Sequence, residues 1–438
     1  FNAKPTKAVK LPAWASRLET QPPVPAPTLH PTVETLPNGI KLIVQPEPIS
    51  DTVAVYGDIR TRASLQEPKG QDGVASVLDQ LFDYGGGKLD RTAYQRALDD
   101  IAAQESGGTG FGLVVSAQHF DRGVQLLAMN ELQPRMPAHA FKVVQQQVAG
   151  SLAGLLQSPG YLFGRAIDKG LFPANDPSLR QATPKSVSAL TLKDVKTYYD
   201  TVFRPDETTI VVIGNVDAAT ARKTIEKYFG EWHAAGPRPK LDLPAVPNNH
   251  AASHWVPDHS AVQDSVVLAQ TMGITLSNPQ HYALDLGNVL LGQGFYASRL
   301  YRDLRANAGL VYTVGSSLRL GETRSAYVIN YGADPDKVAK ARAIVLRDLQ
   351  DMQKEPVSAS HLNLAKALML RQLPLGHASF SSIASAWIYY SQHHLPLDQD
   401  TVVAREVVKL SAKDVQDAFA KWLRPADLVE VVRGPKPH

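Results

Sequence analysis

Short runs of alternating polar and apolar residues near the start of the chain predict a β-hairpin and a following strand. Residues 35–44 (TLPNGIKLIV) form two apolar runs around Asn38-Gly39, and Asn-Gly supplies the positive φ that tight hairpins require. Asp51 to Ile59 continues as an alternating β segment, and Asp264 to Leu268 (DSVVL) has the same character in the second half. Each half is therefore expected to begin with strands.

Helical patterns follow these strands, at residues 73–82 in the first half and 296–306 in the second. Each half then closes on a Ser/Thr-x-Lys-Asp helix start, an apolar periodic run and a valine-rich strand. Strands and helices thus intermix through hairpin-type links. The pattern predicts an α+β fold in which helices pack on a mostly antiparallel sheet in each half.

The closing segments of the two halves are copies of one another. Residues 190–214 (LTLKDVKTYYDTVFRPDETTIVVIG) and 410–434 (LSAKDVQDAFAKWLRPADLVEVVRG) align without a gap at an offset of 410 − 190 = 220, and nine of the 25 positions are identical. This period is far longer than the ~20–50 residues of a solenoid repeat. The repeat therefore indicates a duplicated domain.

Proline-rich stretches mark the predicted domain limits. Residues 1–31 contain seven prolines and are predicted to form an extended arm. Residues 234–257 form a second proline-rich stretch, at the position where a duplicated protein needs a linker. The N-terminal domain is then predicted to span residues 32–233 and the C-terminal domain residues 258–438.

Composition narrows the classes of protein. The 438 residues carry a net charge of +3 and are 44% hydrophobic, which is typical of a soluble globular protein, and no apolar run approaches the ~18 residues of a membrane span. The basic residues lack the aromatic interleaving of a nucleic-acid groove. The absence of cysteine excludes disulfides, thiolate zinc sites and cysteine nucleophiles. The chain begins at Phe1, and either a cleaved signal peptide or a trimmed N-terminus would explain this.

Several separated motifs carry a family resemblance. Residues 73–85 read GVASVLDQLFDYG, and residues 291–300 (LGQGFYASRL) are followed by LRANAGLVY at 304–312. Together with LPNG at 36–39 and the two KDV…RP…G copies, these motifs resemble the pitrilysin/insulinase family of metallopeptidases, the inverzincins, over residues 32–434. The first motif is similar to the zinc helix of that family, Gly-x-Ala-His-x-x-Glu-His-(Met/Leu)-x-Phe-x-Gly. The resemblance implies two homologous α+β domains of the pitrilysin type.

The zinc ligands that the resemblance implies are missing from this chain. In active members the two histidines of H-x-x-E-H and a glutamate from a later helix bind zinc, and the motif glutamate acts as the base. Here the histidine positions are Ser76 and Gln80, the glutamate position is Asp79, and residues 141–155, where the third ligand is expected, contain no aspartate or glutamate. Hydroxyl and amide oxygens are poor zinc ligands. We expect no bound metal and no intrinsic zinc-peptidase activity.

Other polar patterns favour structural roles. Without a metal, Asp79 is expected to be a solvated or hydrogen-bonded helix residue. His250 and His254 are four apart but fall in the predicted linker, and the adjacent pair His393-His394 is expected to cap or flank a helix end. The glycines at 107, 108, 110 and 112 miss the order of a dinucleotide fingerprint and precede an apolar strand, which predicts a close-packed β segment. No G-x-S-x-G or S-x-x-K run supports a serine nucleophile.

Arg305 and Tyr312 lie seven residues apart within Leu-Arg-x-x-x-Gly-Leu-x-Tyr. They occupy the positions of the arginine and tyrosine that, in the family, reach the zinc site from another domain and contact the substrate. Donors aimed at the oxyanion of an attacked peptide carbonyl lower the barrier by a few kcal/mol. Tyrosine offers a hydroxyl, and arginine offers a fixed charged fork. The resemblance thus implies a substrate-binding role for both residues.

The resemblance also implies a division of labour, because the family builds its closed chamber from four such domains in one or two chains. This chain is similar to the non-catalytic member of a two-chain zinc peptidase, such as the alpha-type subunit of mitochondrial processing peptidase. The hypothesis is a heterodimer in which a homologous partner with an intact H-x-x-E-H supplies the zinc and this chain helps to enclose peptides or unfolded segments.

Two alternatives stay open from the sequence. One alternative hypothesis is a catalytically inert scaffold subunit of a larger complex. The other is a self-contained enzyme with unfamiliar chemistry. The predicted compartment is the periplasm or another exported location, with the cytoplasm as the alternative. Whether the isolated chain forms homodimers is left open.

Overall fold

A computed structural model describes residues 22–437, which form two β-sheets, one in each half, covered by helices. The part of the predicted proline-rich arm at residues 1–21 lies outside the described residues. Residues 22–31 contain no helix or strand, and the Thr401 hydroxyl donates a hydrogen bond to the Pro25 carbonyl at 3.4 Å. Between residues 22 and 437, no helix is long and apolar enough to cross a membrane.

The first sheet contains six strands. These are β1 (Thr32–Thr35), β2 (Lys41–Pro46), β3 (Thr52–Ile59), β4 (Gln104–Ser106), β5 (Gly110–Ser116) and β6 (Thr208–Gly214). Their order is β1-β2-β6-β3-β5-β4, and all neighbours are antiparallel except β2 and β6. Gly39, in the turn between β1 and β2, has a φ of 99°. The hairpin predicted at Asn38-Gly39 is therefore confirmed.

The second sheet repeats this plan with five strands. These are β7 (Ala252–Pro257), β8 (Asp264–Met272), β9 (Val311–Arg319), β10 (Ser325–Ala333) and β11 (Val429–Gly434). Their order is β7-β11-β8-β10-β9, and only β7 and β11 run parallel. The predicted α+β class with mostly antiparallel sheets is confirmed in both halves.

Helices connect the strands in each half. In the first half they are α1 (Ala63–Gln66), α2 (Val74–Asp79), α3 (Arg91–Asp99), α4 (Phe120–Leu132), α5 (Ala138–Leu155), α6 (Pro159–Leu171), α7 (Pro184–Ala189), α8 (Leu192–Val202) and α9 (Ala218–Phe229). In the second half they are α10 (Gln280–Asn288), α11 (Val338–Lys354), α12 (Ala359–Gln372), α13 (Phe380–Gln392), α14 (Gln399–Lys409) and α15 (Ala412–Trp422). Two π-helical segments, Val289–Gln293 and Tyr301–Asn307, lie between α10 and β9.

The two repeat copies form matching helix–strand units. Both helices begin with a reciprocal capping box, Thr191 with Asp194 in α8 and Ser411 with Asp414 in α15, which satisfies backbone donors at the helix start. The strands that follow, β6 and β11, each lie between two neighbours inside their sheets. The similarity of sequence therefore corresponds to the same position in each half.

The closing glycine of each copy is required by a close approach of two strands. Gly214 has a φ of 141°, and a Cβ added there would lie 2.2 Å from the Thr52 carbonyl oxygen. At Gly434 an added Cβ would lie 1.6 Å from Asp264 Oδ1. Because real Cβ contacts are much longer, a side chain at either position would separate the central strands.

Each sheet packs one face against helices of its own half. In the first half, strand residues such as Val55 and Val212 meet Leu78 of α2 and Ile225 of α9, and all four are fully buried. The second half has an equivalent cluster that joins β8, β10 and β11 to α10, α11 and α15. Burial of a side chain of this size stabilises the fold by ~1.5–3 kcal/mol. Each half thus has its own core.

The opposite face of each sheet is covered by a helix from the other half. Phe163, Ile167 and Leu171 of α6 pack against valines of the second sheet, including Val267 and Val429. The helices α6 and α13 are themselves equivalent, because Pro159–Leu171 and Phe380–Gln392 are both 13 residues long and start at an offset of 380 − 159 = 221. The two halves therefore exchange a helix symmetrically.

The reciprocal contact is made by α13 on the first sheet. Ile383 and Trp387 pack against Ile43, Val211 and Ile213. Each of these five side chains is buried in an apolar cluster that joins the two halves. The predicted limits of the two domains, 32–233 and 258–438, stay predictions, and the structure adds that neither sheet is covered by its own half alone.

The segment that joins the halves is held by the arginine of each repeat copy. Arg204 donates hydrogen bonds to the carbonyls of Ala235 and Pro237 at 2.8 and 3.0 Å, and Arg424 contacts Asn249 Oδ1 at 3.3 Å. The last six residues of the predicted linker, 252–257, form the strand β7. Most side chains of this strand are not buried, so its sequence lacks the apolar alternation that predicts a strand. Its backbone is ordered by parallel pairing with β11.

Candidate functional site

The residues at the predicted zinc positions share one face of α2. Val74, Val77 and Leu78 point into the core and are fully buried, so that Ser76, Asp79 and Gln80 are left on the exposed face. Asp79 and Gln80 follow Ser76 by three and four residues, a spacing that brings the three side chains together at the end of the helix. The helix geometry expected of the family is present, with different side chains at the positions of the ligands.

These three side chains do not fit a catalytic zinc ion. Ser76 and Gln80 offer neutral oxygens, and desolvation raises the pKa of Asp79. Residues 22–437 contain no group of three histidine, aspartate or glutamate side chains arranged to hold a metal ion. The expectation of a metal-free chain stays a prediction.

The helix expected to carry the third ligand packs against α2. Residues 141–155 lie within α5, which contacts α2. The buried Gln145 of α5 donates hydrogen bonds to the carbonyls of Val187 and Leu190, at 2.9 and 2.7 Å, and so holds the end of α7. This polar side chain has a structural role.

A buried acidic cluster lies beside the altered zinc helix. Glu131 of α4 is fully buried, and the Gly108 amide donates to its Oε1 at 2.8 Å. Asn130 Nδ2 donates to Glu105 Oε1 at 3.0 Å. Burial raises the pKa of Glu131 well above its usual range, and the charges of Glu105 and Asp79 raise it further. Burial also raises the pKa of Glu105 to about 7, against the opposing hydrogen bond from Asn130.

Sequence reasoning did not find this cluster. Glu105 and Glu131 are 26 residues apart, and the glycine-rich turn between β4 and β5 brings them together. Gly110 and Gly112 lie on β5 as predicted, whereas Gly107 and Gly108 form the turn before it, and only Gly107 is closely packed. The glycines pass over the acidic side chains, and a Cβ at Gly107 would lie 3.0 Å from Glu131 Oε1.

Glu105→Gln should change the dependence of stability on pH. A carboxyl whose folded pKa is raised from ~4.3 to about 7 contributes its full stability below pH ~4 and loses it as the pH rises through 7. We therefore expect the free energy of unfolding of the variant to exceed that of the parent by about 1–2 kcal/mol at pH 8 and to equal it near pH 4. Urea unfolding across this pH range measures the effect, with the exposed residue Glu231→Gln as the matched control. An equal change at every pH would contradict the assignment.

Arg305 and Tyr312 lie on neighbouring elements at the edge of the second sheet. The π-helical segment that carries Arg305 packs against β9, which begins at Val311, and the Leu310 amide donates to the Leu304 carbonyl at 2.9 Å. Arg305 is exposed, its guanidinium lies 5.8 Å from the Tyr301 ring centroid, and it forms no ion pair with any described residue. Tyr312 is 48% exposed. Both side chains are therefore available to a ligand or partner.

The Tyr312 hydroxyl has a partner within the chain. It donates to Asp334 Oδ1 at 3.2 Å, and Lys337 Nζ donates to Asp334 Oδ2 at 2.8 Å. The hydrogen bond from Lys337 lowers the pKa of Asp334, so this carboxylate stays charged. The hydroxyl must leave this long hydrogen bond before it can donate to another group.

Three aromatic rings form a cluster that includes Tyr301, the ring next to the Arg305 guanidinium. Phe295 and Tyr296 are 58% and 70% exposed, and their ring centroids are 5.5 and 4.8 Å from that of Tyr301. Phe295 has a φ of 47°, in the left-handed region that costs energy for a residue with a Cβ. Sequence reasoning did not identify this cluster, although two consecutive aromatic residues after a glycine were the available signal.

The remaining candidates have no common site. His254 is exposed on β7 and His250 precedes that strand. His393 is the C-cap residue of α13, which confirms that His393-His394 flanks a helix end, and its Nδ1 lies 2.8 Å from Glu322 Oε1.

Comparison with known proteins finds a matching family model over part of the chain. Residues 189–369 match the family described as "Peptidase M16 inactive domain". This segment, which includes the end of the first half and much of the second, is similar to that family. The resemblance to the pitrilysin/insulinase peptidases is thereby confirmed, whereas the particular likeness to the alpha-type subunit of mitochondrial processing peptidase stays a prediction.

Individual proteins named as zinc proteases or inactive metalloproteases have sequences similar to this chain. The chain is 20% identical over 356 residues to the "Uncharacterized zinc protease YmxG" of Bacillus subtilis, covering 80% of this chain and 85% of the relative. It is 23% identical over 269 residues to the "Probable inactive metalloprotease YmfF" of the same organism, covering 58% and 60%.

Solved structures share the two-sheet fold. A peptidase M16 inactive domain from Pseudomonas fluorescens superposes with a TM-score of 0.81 at 21% identity, covering 93% of this chain and 98% of that structure. The periplasmic protease PqqL from Escherichia coli superposes with a TM-score of 0.75 at 16% identity, covering 99% of this chain and 49% of PqqL. The predicted pitrilysin-type fold with two domains is confirmed.

Proposed function

We propose that this chain is the non-catalytic, substrate-binding subunit of a two-chain zinc metallopeptidase. A homologous partner would supply H-x-x-E-H and the zinc, and this chain would close the chamber and contribute Arg305 and Tyr312. The contrast between its two sites carries the proposal. The zinc face of α2 presents Ser76, Asp79 and Gln80, while Arg305 is exposed without an ion-pair partner among the described residues.

The electrostatics of Arg305 and Tyr312 suit contact with a peptide backbone. A guanidinium without a carboxylate partner can donate to a carbonyl oxygen, and its charge stabilises the oxyanion formed when that carbonyl is attacked. The neighbouring rings of Phe295 and Tyr296 offer apolar surface for a substrate side chain. These features support binding of flexible peptides or unfolded segments.

The comparisons support an assembly of two such chains. This chain covers 49% of PqqL, so the longer protein has room for a second unit of the same size. We propose that the partner chain takes the place of that second unit. An exported compartment, such as the periplasm named for PqqL, belongs to the same proposal, with the cytoplasm as its alternative.

Peptidase activity should require both chains. We expect the purified chain and the purified partner to cleave a quenched fluorescent peptide at background rates, and the co-expressed pair to cleave it at least ~100-fold faster. Size-exclusion chromatography with light scattering checks that the pair assembles. Full activity of the partner alone would contradict the proposed role, and zinc-dependent activity of this chain alone would show that it is an enzyme in its own right.

A scaffold role is the second candidate function, favoured by the altered residues on α2. It predicts the same stable complex, but with no peptidase activity under any condition. The co-expression experiment therefore separates the two functions directly.

A further inference from the structure

A cleft of about 710 Å³ lies between the two halves. One wall is the face of the second sheet that is covered by α6, with Val328 and Asn330 of β10 and Ser317 of β9. The other walls are α6 itself, with Ile167 and Leu171, and the segment that follows β3. Its volume is typical of a site for a small ligand or the end of a peptide. None of the residues discussed as the altered zinc site or the arginine–tyrosine pair lines it.

Arginine dominates the charge of this cleft. Four arginines line it, Arg60, Arg62, Arg319 and Arg324, against the three carboxylates Asp168, Asp242 and Glu322, and Arg324 is also paired with Asp176 behind the lining. Two of the carboxylates, Asp242 and Glu322, lie 2.5 and 3.7 Å from Arg60 Nη2. Arg62 and Arg319 form no ion pair with any described residue. Both side chains are exposed, and the charge of Arg319 also acts on Asp168 of α6.

Arg324 is the most constrained of the four. Its side chain is only 10% exposed, it lies over the Phe172 ring at 4.9 Å, and its Nη1 donates to Asp176 Oδ2 at 2.6 Å. The other terminal nitrogen, Nη2, is buried without a hydrogen-bond partner among the described residues. A buried guanidinium N–H without an acceptor is costly, which indicates that an acceptor belongs there.

The turn that carries Arg324 is fixed by the surrounding chain. The Thr323 hydroxyl donates to the Leu243 carbonyl at 2.7 Å, and the Ser325 hydroxyl donates to the Ile274 carbonyl at 2.6 Å. A donor that is held in place before binding loses little entropy when a ligand arrives. Burial raises the pKa of the third lining carboxylate, Asp168 of α6, and the charges of Arg165 and Arg319 oppose this shift.

We propose that this cleft binds the carboxylate of a peptide through Arg319 and Arg324, with Arg62 as a third cation. The planar guanidinium fork of an arginine matches the geometry of a carboxylate. The apolar side chains of Ile167, Leu171 and Val328 would cover the residues next to that carboxylate. The carboxylate comes either from the C-terminus of a peptide or from an acidic side chain. The site belongs to this chain alone and does not depend on the proposed peptidase assembly.

Fluorescence anisotropy with the purified full chain tests the proposal. Three versions of one short labelled peptide of alanine, glycine and leucine serve as probes: a free C-terminal carboxylate, a C-terminal amide, and the amide with an internal glutamate. We expect the best carboxylate probe to bind at least ~10-fold more tightly than the neutral amide. The better of the two carboxylate probes identifies the source of the carboxylate.

Two variants locate the binding to this cleft. Arg319→Gln removes an exposed donor, and Arg324→Lys keeps a cation within reach of Asp176 but removes the second nitrogen, so each should weaken the carboxylate probe at least ~10-fold. Arg405→Gln, at an exposed position on α14, is the matched control, and thermal unfolding reports whether each variant is folded. Should Arg324→Lys fail to fold, Arg319→Gln decides. Equal binding of all probes, no binding up to about 1 mM, or a carboxylate preference that survives Arg319→Gln would overturn the proposal.

Discussion

Arg305→Ala in the assembled two-chain peptidase should lower kcat/KM by about 100-fold, because a preorganised charged donor at an oxyanion contributes a few kcal/mol to transition-state stabilisation. Assembly should not change, because Arg305 is exposed and within residues 22–437 it contacts the Tyr301 ring without forming an ion pair. Steady-state kinetics on a quenched fluorescent peptide measures the loss. If the arginine binds substrate and transition state equally, the loss will appear in KM alone.

Two further variants separate a role in turnover from a role in folding. Arg405→Ala removes another exposed arginine of the same half and should leave kcat/KM unchanged. Tyr312→Phe should reduce it by about 10-fold, less than Arg305→Ala, because the hydroxyl must first leave its hydrogen bond with Asp334. Normal turnover in both Arg305→Ala and Tyr312→Phe would remove the assigned roles and favour the scaffold function.

Gly214→Ala should destabilise the chain by about 3 kcal/mol, combining the cost of a left-handed backbone with that of overpacking. The φ of 141° is unfavourable for alanine, and the new Cβ would lie 2.2 Å from the Thr52 carbonyl oxygen and 2.7 Å from the Val53 Cα. Because both contacts are with backbone atoms, no side-chain rotation can relieve them. Urea unfolding measures the difference in free energy.

Gly273→Ala is the matched control for this substitution. A Cβ added at Gly273 meets nothing within 4 Å, so its free energy of unfolding should stay within about 0.5 kcal/mol of the parent. A similar loss in both variants would contradict the assigned strand contact, because the effect of alanine on the unfolded chain alone stabilises the fold. A loss confined to Gly214→Ala would show that the strand contact requires glycine.

Local signals in the sequence were sufficient for much of the fold. The Asn38-Gly39 hairpin, the strands at Asp51–Ile59 and Asp264–Leu268, and the capped helices of the two copies each depend on a few neighbouring residues. The absence of histidine from α2 is likewise a local fact. These features needed no knowledge of distant contacts.

Apart from the local aromatic cluster at Phe295, Tyr296 and Tyr301, the features that were missed depend on contacts between distant segments. Strand β7 is ordered by parallel pairing with β11, about 175 residues later in the chain. Glu105 and Glu131 acquire their raised pKa values only when β4 and α4 are brought together and buried. The exchange of α6 and α13 could not be predicted from periodicity, because an amphipathic helix has the same apolar pattern whichever half it covers.

This exchange also bears on the history of the chain. Two halves that had merely been joined by a linker could later be divided between two genes, each encoding a protein that folds alone. Here a division at the linker would leave Val267 and Val429 on one product, and Val211 and Ile213 on the other, without the helix that covers them unless the products met again. The exposed apolar faces would favour aggregation. The structure thus gives a physical reason for the duplicated halves to be inherited as one polypeptide.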